Sequence, residues 1–417
     1  MYVKDTLPNG VRLITEEVSS VHSASVGIWV KTGSRYEKEY NHGISHFVEH
    51  MLFKGTTNRS ARKIAEELEA IGGSLNAFTA KEYTCYYAKV LAENLDTAID
   101  VLADMYFNSL FEPKEIEKEK NVIMEEIKMY EDSPDELVHD LFTNAIWPDH
   151  PLGRPIIGTI DSLKKMQSTD LLEYCRDRYT ANNTVIAVAG NIDHKNVFDQ
   201  ICGYFGNMPA GVPAMESEPP VSGATVLMSK KDLEQLQICL GGPGLAQDDK
   251  DIYALNVLNN VLGGGLSSRL FQEIREERGL AYSVYSYQTA YRDSGLFTVY
   301  AGTSPDNLSS VLRLIVKELL ELASEGISEE ELKRTKQQLK GNLLLSLENV
   351  NNRMMRLGKT EICFDRVITI DEILNNIAAV DLQAVKSIAN QLFVIDNLTF
   401  TSIGPVIQKD LSLKDLL

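Results

Sequence analysis

The feature that most constrains the fold of this chain is an internal repeat. Glu115-Ile116-Glu117-Lys118 is echoed by Glu331-Leu332-Lys333-Arg334 at an offset of 216 (331 − 115), and each opens a long, charge-rich helical pattern. The apolar run 183–189 before Gly190 returns as 397–403 before Gly404, an offset of 214 (397 − 183). Between these markers, 237–240 corresponds to 24–30, and 252–262 takes the place of a helix predicted at 43–53. Residues 280–287 and 295–301 stand where the strand pair 74–79 and 83–90 stands in the first copy, and 306–322 matches the helix at 93–107. Self-similarity at a long, fixed period means one folding unit built twice. Each copy has several strands with helices grouped beside them, which predicts an α+β fold of two homologous domains, each a mainly antiparallel sheet packed with helices. At 417 residues the chain exceeds what one ordinary core serves. Residues 207–223 hold four prolines and two glycines among mostly small residues, the composition of a connector. The expected division is 1–207, a linker at 208–223, and 224–417.

The first copy carries the chemistry. Within its predicted helix lies His46-Phe47-Val48-Glu49-His50, and two histidines four apart fall on one helix face, one turn from each other. Their imidazoles can close on one metal ion, with Glu49 at the edge of that face. The order His-x-x-Glu-His is the inverzincin signature. The plainer reading is an amphipathic helix with Ile44, Phe47, Val48, Met51 and Leu52 facing a core and histidines beside it. A third ligand decides between them, and carboxylate is the usual companion of two histidines in a hydrolytic zinc site. The long helix supplies Glu115, Glu119, Glu125 and Glu126 as candidates, with Glu119 and Glu126 seven apart and hence two turns along one face. A helix rich in Glu and Lys is ordinarily a solvated face with weak ion pairs. Here Val122, Ile123 and Ile127 show that it also buries a side. The repeat puts Thr335 and Asn342 where Glu119 and Glu126 stand, as expected if only the first copy binds metal.

Composition narrows the function. A formal charge of −18 argues against nucleic acid as the partner, because phosphate binding needs a basic surface. No apolar run approaches the roughly 20 residues that span a bilayer. The N-terminal segment has neither a basic start with an apolar block nor an Arg-rich transit pattern, so a cytoplasmic, bacterial protein without membrane attachment is expected. It enters what reads as a hairpin around Asn9-Gly10. The five cysteines are dispersed with no Cys-x-x-Cys pair, which reads as reduced thiols, neither a disulfide framework nor a cysteine-zinc site.

The segment from Gly43 through His46, Glu49 and His50 to Lys54-Gly55-Thr56 resembles the active-site segment of the pitrilysin or insulinase-type zinc peptidases, in their mitochondrial-processing-peptidase-like branch. The resemblance extends over both halves and the linker. It implies Glu126 as the third zinc ligand and Glu119 as its supporting carboxylate, with one Zn²⁺ per chain held by His46, His50 and Glu126 and with Glu49 as general base. Gly73 to Thr79 is similar to the family's edge strand, implying that Asn76, Ala77 and Phe78 pair with the substrate backbone by β-augmentation. Residues 268–282 resemble the family's arginine and tyrosine motif, implying that Arg275 and Tyr282 assist at the substrate carbonyl, where a cation and a phenol would stabilise an oxyanion. The implied activity is zinc-dependent endoproteolysis of peptides or unfolded segments inside a chamber. Single-chain members are about twice this length, so the resemblance implies half of a clamshell, completed as a homodimer or a heterodimer with an inactive homologue. The alternative is a non-catalytic structural or partner subunit of the same architecture.

Overall fold

The computed structural model describes residues 2–211, 226–405 and 413. Most of the expected linker, 212–223, lies outside the described residues; 207–211 is turn and irregular chain. The first half of the chain forms β1 (Tyr2–Thr6), β2 (Arg12–Glu17), β3 (Ser23–Val30), α1 (Ile44–Leu52), α2 (Ala61–Glu69), β4 (Ser74–Thr79) and β5 (Thr84–Leu91). It continues through α3 (Leu95–Asn108), α4 (Pro113–Glu131), α5 (Pro134–Ile146), α6 (Ile160–Lys165), α7 (Ser168–Arg178), β6 (Thr184–Gly190) and α8 (His194–Phe205). The second half holds β7 (Val226–Lys230), β8 (Leu236–Pro243), α9 (Ile252–Gly263), β9 (Ala281–Ala290), β10 (Gly295–Thr303) and α10 (Leu308–Ser324). It ends with α11 (Glu329–Ser346), α12 (Val350–Phe364), α13 (Ile370–Ala379), α14 (Leu382–Leu392) and β11 (Thr399–Gly404).

The sheets prove the repeat. The first runs β1-β2-β6-β3-β5-β4 and the second β7-β11-β8-β10-β9. Dropping β1, the orders superpose strand for strand, and among the described residues each sheet has one parallel pair at the same place, β2 with β6 and β7 with β11. The fold is α+β with two homologous units, as the repeat requires. β1 and β2 form the expected hairpin at Asn9-Gly10, with Gly10 at φ +105° in the turn.

The compact units are not the two sequence halves. One comprises Met1–Lys128, Pro155–Ser217 and Leu344–Ile368; the other comprises Met129–Arg154, Glu218–Leu343 and Thr369–Leu417. The units differ from the division expected at 1–207 and 224–417 by two exchanged segments, each carrying one helix. In the first unit, alternate residues of β3 (Val26, Ile28, Val30) join α1 and α3 in one core. Trp29 points to the other face, where α12 supplies Met354, Leu357 and Ile362. Two glycines let α12 sit that close. A Cβ on Gly27 would lie 2.5 Å from Met354 Sδ, and one on Gly358 2.1 Å from Trp29 Nε1. Charges lock the helix: Glu361, fully buried, meets Lys4 at 2.8 Å and Arg12 at 3.2 Å, and Arg353 reaches Glu16 at 2.6 Å. In the second unit α5 does the same, placing Val138, Phe142 and Ile146 against Cys239, Leu296 and Tyr300. The two helices occupy equivalent repeat positions, 216 apart (350 − 134). Repeat boundaries follow chain order whereas cores follow burial, which is why the linker composition did not mark the exchange. Among the described residues no helix is long and apolar enough to cross a membrane.

Candidate metal centre

α1 is a nine-residue helix whose apolar side, Ile44, Phe47, Val48, Met51 and Leu52, is buried in the first unit's core. The plainer reading is therefore half right: the amphipathic face is real, and the histidines stand on the side it leaves free. His46 and His50 are partly buried, with their Nε2 atoms facing each other at 3.2 Å. α4 brings in Glu126, whose two oxygens lie 3.9 Å from His46 Nε2 and 3.7 Å from His50 Nε2. A zinc ion with ligands at about 2.0–2.1 Å in tetrahedral array holds its donors roughly 3.3 Å apart, so the three side chains fit such an ion with small adjustment. Each offers a ligand atom within 4.8 Å of the others.

Protonation favours the same use. Burial, reinforced by the nearby His50, pushes the His46 imidazole down to about 3, so it is neutral and able to ligate. His50 Nδ1 donates to Glu119 Oε1 at 2.8 Å, which leaves the Nε2 lone pair directed at the site. The other Glu119 oxygen meets Lys54 Nζ at 2.6 Å. Burial opposes charge on Glu119, but the bonds from His50 and Lys54 outweigh it and hold its carboxyl below the usual range. His46 has no such support: its Nδ1 is buried without a hydrogen-bond partner among the described residues.

The remaining acidic candidates turn away. Glu125 is paired with Lys128 at 2.6 Å in an exposed position, and Glu115 with Lys118 at 2.5 Å. Successive helical residues are about 100° apart around the axis, so Glu125 and Glu126 cannot share the face that Ile116, Ile123 and Ile127 bury beside the histidines. Glu49 lies between α1 and β4, with its Oε2 accepting from Thr79 Oγ1 at 2.5 Å. Burial raises its pKa, with Glu126 adding to that, against the lowering by Thr79 and His50.

β4 is the last strand of its sheet, paired among the described residues only with β5. Its residues alternate: Leu75, Ala77 and Thr79 lie on the α1 side, whereas Phe78 stacks edge-on against Trp29 at 5.7 Å. The N–H of Ala77 is held by the Asn76 side chain at 2.8 Å. Arg275 and Tyr282 belong to the second unit, where the guanidinium lies 4.9 Å from the Tyr282 ring and 4.8 Å from that of Phe271. Tyr282 is 79 % exposed on β9, an edge strand of that sheet. The structure thus brings Arg275 and Tyr282 to each other, and His46, His50, Glu49, Glu119 and Glu126 to each other. Sequence reasoning missed Thr79 and Lys54. Thr79 was within reach, since the two-residue period of β4 puts it on the face of Leu75 and Ala77.

Both halves of the chain resemble known proteins. Residues 12–160 match the family described as Insulinase (Peptidase family M16), and 165–339 match the Peptidase M16 inactive domain. An uncharacterized zinc protease of Bacillus subtilis is 49% identical over 95% of this chain and 97% of its own length. One from Streptomyces coelicolor is 43% identical over 93% of this chain and 86% of its own. The fold matches a crystal structure of a protease from Helicobacter pylori, with TM-score 0.90, 24% identity, and coverage of 97% of this chain and 99% of that one. The extent of these matches, over both halves, makes the chain a member of the insulinase family of peptidases, family M16.

Proposed function

We propose that this chain is a zinc metalloendopeptidase that hydrolyses peptides or unfolded segments. The observation that carries the reading is the convergence of the His46 and His50 imidazoles with the Glu126 carboxylate beside a half-buried glutamate of raised pKa. His46, His50 and Glu126 would hold one Zn²⁺. Bound there, zinc would polarise a peptide carbonyl and make water acidic enough to lose a proton near neutral pH. Glu49 is the base: Thr79 fixes its Oε2, leaving Oε1 to take a proton from water and pass it to the leaving amine. Its raised pKa brings it nearer the operating pH, where proton transfer in both directions is easiest. Glu119 holds the His50 ring in the ligating tautomer. An extended substrate adds beside β4 at Asn76, Ala77 and Phe78, a mode that binds backbone with little demand on sequence. Arg275 and Tyr282, already stacked, would stabilise the developing oxyanion. The chamber that such a chain half-encloses would be completed by a second copy or by an inactive homologue.

The test is metal content together with cleavage of a quenched fluorogenic peptide, before and after 1,10-phenanthroline. The expected result is about one zinc per chain, chelator-sensitive cleavage restored by Zn²⁺, and a Glu49→Gln variant that keeps zinc but not cleavage. Folded protein with neither zinc nor cleavage would establish the non-catalytic subunit instead. Full cleavage by Glu49→Gln would remove the assigned base.

A further inference from the structure

α1 carries three of the proposed site's residues and is only nine residues long, so its N-terminus controls where they point. Its N-cap residue, Gly43, cannot cap it. The backbone there has φ +93°, and a Cβ would lie 2.8 Å from both Gly158 Cα and the Ile157 carbonyl. Only glycine fits, and glycine has no side-chain acceptor for the first-turn N–H groups. The acceptor comes from elsewhere: Glu37 Oε2 takes the Gly43 N–H and Oε1 takes the Ser45 N–H, each at 2.8 Å. Glu37 is 4% exposed. Around it the segment is fixed by Ser162 donating to the His42 carbonyl at 2.7 Å and by a 2.8 Å bond between the Ser45 and Tyr174 hydroxyls.

We infer that Glu37 is a positioning residue for the metal centre, its two oxygens setting the start of α1 and with it the direction of His46, Glu49 and His50. This deepens the metallopeptidase reading and rests on it. Ser45 is the residue before His46, so a shift of the Ser45 N–H is a shift of the first ligand. The carboxylate charge also complements the positive end of the α1 dipole. The arrangement runs against what burial prefers, since desolvation raises the Glu37 pKa to about 7, with bonds from Ser45 and Gly43 and the charge of Lys81 pulling it back. Its charge also reaches the Tyr174 hydroxyl. An ordinary cap does not require a buried carboxylate, because a hydroxyl or amide satisfies one N–H. Here the two N–H groups go to different oxygens, and the ionised carboxyl is the form that leaves both free of a proton to accept them.

The test is zinc affinity of the full chain by competition with a chromophoric chelator, in wild type, Glu37→Asp and Glu37→Gln. Glutamine offers one acceptor oxygen and turns an NH₂ toward the other N–H, so its zinc affinity falls tenfold or more, in the range of supporting residues at metal sites. Aspartate keeps both acceptors on a shorter stem and loses less, which also guards against a glutamine variant that fails to fold. In zinc-saturated Glu37→Gln, kcat on the fluorogenic peptide falls while KM stays, because β4 is untouched. Zinc affinity within twofold of wild type in both variants overturns the inference, whatever their thermal stability. A wild-type chain that takes up no zinc overturns the metal reading and this inference with it, and is recognised without any variant.

Discussion

Glu119→Ala tests how the site is held, because the structure gives Glu119 two separable bonds. The one to His50 Nδ1, 2.8 Å, is charge-assisted and partly buried, with Glu119 only 4% exposed. Bonds of that kind contribute about 1.5–3 kcal/mol net. The one to Lys54, 2.6 Å, is shorter, but the Lys54 side chain is 31% exposed and can turn to water. Its loss therefore costs little, as for partly exposed pairs generally. The zinc penalty of Glu119→Ala is thus set by His50, whose ring is freed to rotate and to adopt the other tautomer. At about 1.4 kcal/mol per tenfold, the expected loss is roughly 10- to 100-fold in zinc affinity, with the apo protein still folded. Glu119→Gln keeps one neutral acceptor for His50 and, with a bond about half as strong, falls between wild type and alanine. Competition titration with a chromophoric chelator reads both. Zinc binding by Glu119→Ala within twofold of wild type would refute this account, as would glutamine binding more weakly than alanine.

Other expectations follow from single contacts. Thr79→Val removes a hydrogen bond that lowers the Glu49 pKa, so the acid limb of kcat/KM moves to higher pH; an unmoved or lowered limb contradicts the base assignment. Gly358→Ala puts a Cβ 2.1 Å from Trp29 Nε1, an overpacking that should cost about 1–3 kcal/mol in urea unfolding, and a neutral result would mean that α12 is loosely docked. Glu37 binds its proton more tightly folded than unfolded, its pKa rising from 4.5 to about 7. Metal-free stability should accordingly fall by roughly 3 kcal/mol as pH rises through that window, and Glu37→Gln should flatten the slope.

Local pattern and repeat carried most of the fold. The elements matched between the two copies, the Asn9-Gly10 hairpin and the histidine face of α1 are all properties of neighbouring residues. What escaped depends on contacts across hundreds of positions. The exchange of α5 and α12 is the chief example, although it left a trace. β6 and β10 are buried at every residue, and strands apolar on both faces need cover on both. One helix layer per copy could not provide it, so a second set was required from somewhere in the chain. At the site, the spacing alone left Glu115, Glu119, Glu125 and Glu126 open, and the geometry separates them through their partners and the face that α4 buries. Glu37 and Lys54 were invisible for another reason. Each acts through a partner, Ser45 or Glu119, that only folding brings near it.

The second unit is a natural control for whether the metal builds the fold. α9, which stands where α1 does, contains no His, Cys, Asp or Glu, and α11 has Thr335 and Asn342 in place of Glu119 and Glu126. Its core nevertheless closes, with Leu255, Leu258, Val261 and Leu262 fully or almost fully buried beneath the same strand order. Zinc is therefore not needed to complete this architecture, unlike the small domains that unfold when their metal is removed. It should add stability only by mass action, about 2.7 kcal/mol when free metal is 100 times its Kd. Chelation is then expected to lower the unfolding temperature by a few degrees and leave the far-ultraviolet circular dichroism unchanged at room temperature. A cooperative loss of helical signal on adding chelator would show the first unit to be built around its metal, and would break the equivalence of the two copies.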